Sequence, residues 1–164
     1  MTAPIEIKAK VTGIEAAVAK MEQVARDMTG PPIFNAIRDA TLLVTARAKG
    51  KAPVDTGRLR SSIAPEVRVV HGLEVQGIVG SNVVYAPYME LGTGTFVGRP
   101  AHHPPASKLE VWARRHGLSA YVVARAIGLR GGLEGRRFLH GALEENEGRI
   151  KMMIEIAVAR TVNM

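Results

Sequence analysis

The chain has no cysteine among its 164 residues, which excludes disulfides, thiolate chemistry and Cys-based zinc sites. Aromatic residues make up only 4% of it, so its core must be built from Val, Ile, Leu, Met and Ala. No window approaches ~20 consecutive apolar residues, the length a bilayer-spanning helix needs. The opening MTAPIEIKAKVTG lacks the basic start and unbroken apolar run of a signal peptide, so the expectation is a soluble chain made in the cytoplasm, with no membrane partner. Acidic side chains are in deficit: 15 Asp and Glu against 22 Lys and Arg, a net charge of +7. Such a balance suits a nucleic acid, an anionic membrane or an acidic protein surface and does not choose among them.

What is present fits one globular domain spanning 1–164, with 46% hydrophobic and 23% charged residues. Residues 4–11 alternate apolar and polar and predict a half-buried strand. Residues 14–28 have helical spacing. Gly30-Pro31-Pro32 stops that helix and starts another over 33–49, with Gly50 as its expected C-terminal cap. Segments 65–71 and 73–80 predict a hairpin around His71-Gly72. The Gly- and Pro-rich 92–106 reads as a flexible loop. Ala106 to His116 reads as a helix stopped by Gly117, and Ser119 caps a further helix to about Leu129. GLRGGLEGRR reads as a flexible basic connector, and 138–162 as a long C-terminal helical segment with Gly148 as its weak point. The fold class is α+β: a small antiparallel sheet packed against helices, with a long C-terminal helix.

The tripeptide Asp55-Thr56-Gly57 poses the sharpest chemical question, because aspartic proteases carry their catalytic carboxylate in that setting. The chemistry needs a second carboxylate sharing a proton. No second Asp-Thr/Ser-Gly occurs, and Arg58 and Arg60 follow the first. The reading is therefore a turn or helix cap, in which Asp55 or Thr56 accepts backbone N–H bonds and Gly57 permits the turn. His71, His102, His103, His116 and His140 lack the spacing of helical metal ligands and read as solvated loop residues. Gly92-x-Gly94-x-x-x-Gly98 misses the dinucleotide spacing, and GLRGGLEGRR lacks the Gly-Lys-Ser/Thr of a phosphate loop. No catalytic residue, cofactor or metal site emerges. The cations Arg99, Lys108, Arg114, Arg115, Arg125, Arg130, Arg136 and Arg137 crowd into one stretch opposed by Glu110 and Glu134. They form a generic electrostatic surface that lacks aromatic interleaving.

Three blocks in order, APVDTGRLRSSI at 52–63, VGSNVVYAPYMELGTG at 79–94 and RRFLHGALEE at 136–145, resemble the tail-component family of tailed phages. Its type member is the gene-ten product of the lambda-like phage HK-ninety-seven. The resemblance covers roughly 33–160. Ala52, Pro53, Asp55, Thr56, Gly57, Leu59 and Ser62 match the family's first block, and Tyr85, Ala86, Tyr88, Glu90, Gly92 and Thr93 match its second. In the third, Phe138, Leu139 and Ala142 match, while Arg137 stands where the family usually has proline. The resemblance implies a non-enzymatic virion protein, assembled in the host cytoplasm, that forms a ring in the head-tail neck or tail end. Its partners would be itself and neighbouring proteins such as a connector or stopper, a tail terminator or the tail tube. The alternative is a basic nucleic-acid-binding accessory protein making non-specific contact with DNA. Arg58, Tyr88, Glu90, Phe96, Val97 and Arg99 are the candidate interface residues. Tyr85 and Met89 are expected to face the core, and Arg99 to pair with a neighbour's carboxylate such as Glu90.

Overall fold

Two prolines set the first long helix. Their fixed φ suits a first helical turn, where N–H groups have no intrahelical partner. In the computed structural model, which describes residues 18–20, 22–23, 27, 30–70 and 74–162, helix α1 runs Pro31–Lys51. Residues 18–20, 22–23 and 27 are helical; the strand expected at 4–11 lies outside the described residues. Gly50 is inside α1 and does not cap it. The helix runs to Lys51 because the Ala52 amide still donates to the Ala48 carbonyl at 2.8 Å. Ala52 then turns extended at ψ 132°, as a residue before proline must. The buried face of α1 includes Ile33, Ala40, Val44 and Ala48. Two threonines share that face, and their hydroxyls donate back to the preceding turn, Thr41 to the Ile37 carbonyl at 2.6 Å and Thr45 to Thr41 at 2.8 Å. No buried hydroxyl is left unpaired there, so the polar groups cost the core little.

A one-turn helix α2 (Arg58–Ser62) feeds directly into the predicted hairpin, β1 (Ile63–Val70) and β2 (Glu74–Ser81). The strands pair antiparallel with Ile63 opposite Ser81 and Val70 opposite Glu74. Their connection at 71–73 lies outside the described residues. This is the whole sheet among the described residues, and α1 lies across both strands.

After the hairpin come α3 (Ala86–Leu91), a 3-10 turn at Gly94–Val97 and another at Ala106–Lys108, then α4 (Glu110–Arg115) and α5 (Ala120–Leu129). The C-terminal segment is two helices, α6 (Phe138–Glu144) and α7 (Glu147–Val162). The break falls at 145–146 and not at Gly148, which is inside α7. Buried Asn146 marks it, donating its side-chain amide to the Ala142 carbonyl at 2.8 Å. Both α6 and α7 pack on α1.

The main core joins Val44, Ala48, Ala52, Leu59, Ile63, Val83, Ala86, Phe138 and Ala142. It is aliphatic apart from Phe138, as a chain poor in aromatics requires. No residue of 93–137 belongs to it. That stretch is a separate lobe, in which α4, α5 and the turn at Ala106–Lys108 make their main contacts with one another around Ala113 and Ile127.

The segment 92–106 has a 3-10 turn at Gly94–Val97, no regular structure over 98–105, and several backbone ties to a distant part of the chain. Backbone amides of Thr93, Thr95 and His102 donate to the carbonyls of Leu133, Gly131 and Gly131 at 2.8, 3.0 and 3.0 Å. Gly92 and Glu134 form a bridge. The supposed connector 128–137 is the other half of this staple, with Gly131 and Gly132 buried.

Candidate functional site

The Asp55-Thr56-Gly57 turn shows what a local reading misses. Gly57 sits at φ 80°, the left-handed region that a side chain resists, and serves as N-cap of α2. Its carbonyl receives the Ser61 amide at 2.9 Å. Thr56 Oγ1 accepts the Arg58 amide at 3.5 Å, the outer limit of a bond. Asp55 caps nothing. One carboxylate oxygen lies 3.0 Å from Arg115 Nη2 on α4, and the other 4.0 Å from His116 Nε2. A carboxylate beside a guanidinium is a structural tie, not one of a proton-sharing acid pair. The residue therefore latches the lobe to the body. Both side chains are more than a third exposed, so Asp55→Ala and Arg115→Ala should each cost under ~1 kcal/mol. A double-mutant cycle in urea should give a coupling of about 0.5 kcal/mol that shrinks in high salt. Peptide cleavage that vanished in Asp55→Asn would overturn the structural assignment.

Around α3, helical spacing divides the chain into two stripes. Val83, Ala86 and Glu90 face inward at 7%, 5% and 6% exposure. Val84, Tyr88 and Leu91 face outward at 87%, 53% and 56%. Met89 packs on the core as expected. Tyr85 does not join it, because the helix starts only at Ala86 and leaves Tyr85 at the N-cap, 39% exposed.

Glu90 is not an interface residue in this arrangement. Its Oε2 accepts the Leu139 amide and its Oε1 the His140 amide, both at 2.8 Å. His140 Nδ1 lies 3.3 Å from Oε1. The side chain thus satisfies two of the amides that the first turn of α6 leaves without intrahelical partners. Its own carbonyl accepts the Arg137 amide at 3.0 Å. Arg137 adopts φ 47° to make that bond. A proline, which the resemblance would place here, has neither that φ nor an N–H. Buried Glu90 is also unavailable to Arg99 of a neighbour.

The remaining candidates are on the surface. Arg58 and Arg99 are exposed and have no ion pair among the described residues. Phe96 is 46% exposed on the Gly94–Val97 turn, and Val97 beside it is half-buried. His116 stacks on Trp112 with ring centroids 4.2 Å apart, and His102 and His103 are exposed. No group of three or more His, Asp or Glu among the described residues could hold a metal ion. No described helix is long and apolar enough to cross a membrane.

An open apolar groove of about 530 Å³ adjoins the outward stripe, lined by Ile37, Val44, Val79, Leu139, Leu143 and Ile150, with Leu91 common to both. Its chemistry suits an apolar side chain from another molecule. It holds one carboxylate, Glu90, and that one is already bonded.

No curated protein and no solved structure matches the chain. A family model does match, described as "Bacteriophage HK97-gp10, putative tail-component", over residues 13–92. The match takes in the Asp-Thr-Gly turn, the hairpin and α3, and it ends where the lobe begins. Over residues 13–92 the chain is similar to the HK97-gp10 family of bacteriophage tail components.

Proposed function

We propose that the protein is a non-enzymatic structural component of the tail end or head-tail neck that works as a ring of identical copies. The observation that carries this reading is the outward stripe of Val84, Tyr88 and Leu91, continuous with the apolar groove beside α1. A monomer gains nothing from holding such side chains in water, and contiguous apolar surface with tyrosine at its centre is the usual make-up of a protein interface. A stripe on one copy that enters the groove of the next makes a head-to-tail contact, which closes into a ring when the rotation allows. Phe96, 46% exposed, and Val97 on the Gly94–Val97 turn are further contact residues in this reading. The family match supports a structural place in the tail.

Sedimentation of the purified protein and complementation of a phage lacking it test the reading. Tyr88→Ala and Leu91→Ser should melt within a few degrees of the parent, since both side chains are more than half exposed. They should nevertheless reduce particle yield at least tenfold. Normal assembly and yield in both variants would remove this surface from the mechanism.

A further inference from the structure

The lobe at 93–134 is outside the family match, shares nothing with the main core, and has an unusual surface. Residues 99–137 hold eight cationic side chains against two carboxylates, nearly all of the chain's net +7. Arg115 is tied to Asp55 and Arg137 to Glu144. Arg99, Lys108, Arg114, Arg125, Arg130 and Arg136 are exposed with no carboxylate partner among the described residues.

Apolar side chains are set among these cations. On α5 the inward positions are Val123, Ala124, Ile127 and Gly128. The opposite face carries Tyr121, Val122 and Leu129, 70%, 62% and 78% exposed, with Arg125 between them at helical spacing. Leu118, just before α5, and Val111 on α4 are also exposed, at 50% and 59%. We propose that this α4–α5 face docks a different protein, one that presents carboxylates around an apolar patch.

The alternatives fit less well. Among the described residues, a second copy offers no concentrated negative patch: Asp39, Asp55, Glu144, Glu145 and Glu155 already pair with Arg38, Arg115, Arg137, Lys51 and Lys151. The exposed carboxylates without an ion pair there, Glu66, Glu74, Glu110, Glu134 and Glu147, are each on a different element, two of them in the cationic lobe itself. Two copies of this cationic face would also repel each other. A nucleic-acid backbone would pair with the cations but leave Tyr121, Val122 and Leu129 in water. The cations are seven Arg to one Lys, and arginine is the residue that both forks onto a carboxylate and lies flat on apolar surface.

The inference does not rest on the ring, which the Tyr88 variant reads separately. Its test places a photo-crosslinking amino acid at Leu129 in the full chain, expressed in phage-producing cells. After irradiation, denaturing purification and mass spectrometry locate the adduct. The expected result is an adduct to another protein, on a segment where Asp or Glu flank apolar residues. Its yield should fall at least tenfold in Arg125→Glu and survive in Arg125→Lys. An adduct to this same chain, an adduct to a segment without carboxylates, or no adduct would overturn the proposal. A 30-base-pair duplex titrated across a salt series completes the design. If Arg125→Glu abolishes duplex binding while the protein adduct persists, the cations serve phosphate and the proposal fails.

Discussion

Glu90→Ala will destabilise the protein by about 3–4 kcal/mol, a larger loss than any exposed candidate residue should produce. The carboxylate is 8% exposed and holds the amides of Leu139 and His140 at 2.8 Å each. Removing it leaves two N–H groups at the start of α6 without partners, beside buried Phe138. Each such orphan costs about 1–3 kcal/mol, and bonds to a charged acceptor are at the strong end of that range. Glu90→Gln keeps one good acceptor but turns an amide donor toward the other N–H, so it should lose about 2 kcal/mol. Urea denaturation of the free protein measures both. An interface role would give the opposite pattern, with full stability in the purified protein and a defect only on assembly.

That residue also marks the limit of what the sequence disclosed. Helix α1 and the hairpin follow from apolar spacing and from prolines and glycines, which act locally; the break at 145–146 does not, since the spacing reads 138–162 as one segment with its weak point at Gly148. Glu90 looks like surface because charges usually are. Its burial depends on the first turn of α6, far along the chain, arriving with free amides. The partner of Asp55 has the same origin, since nothing in Asp-Thr-Gly points to Arg115. Tyr85 and Met89 share a spacing, yet a helix that begins one residue after Tyr85 separates them. The most instructive case is 92–106. Its glycines and prolines read as freedom, but Gly94, Gly131 and Gly132 are where two backbones touch, and only the fold shows that they touch each other. The exposed stripe of Val84, Tyr88 and Leu91 was partly legible: Tyr88 stood out, and the fourfold and threefold spacings around it would have supplied the rest.

The staple between these glycines should fail as a unit while the body stays folded. In Gly94→Ala the new Cβ would overlap the Gly131 carbonyl oxygen and lie 2.8 Å from the His102 amide nitrogen, both backbone atoms with little room to yield. The residue's φ of 63° adds roughly 1–2 kcal/mol for any side chain. Relief comes from separating the two backbones, which breaks the bonds of Thr95 and His102 to Gly131. Native-state hydrogen exchange should therefore show protection of those two amides falling about a hundredfold or more, some 2.7 kcal/mol of local stability. The amides of the β1–β2 ladder should keep theirs, because the core that supports the hairpin contains no residue of 93–137. The Asp55–Arg115 pair is too exposed to hold the lobe alone. Equal loss of protection across the lobe and the hairpin would show one cooperative unit and refute the division of the chain into body and lobe. Loss confined to the lobe, with the melting of the body unchanged, would give a variant that separates what the family-matched body does from what the lobe adds.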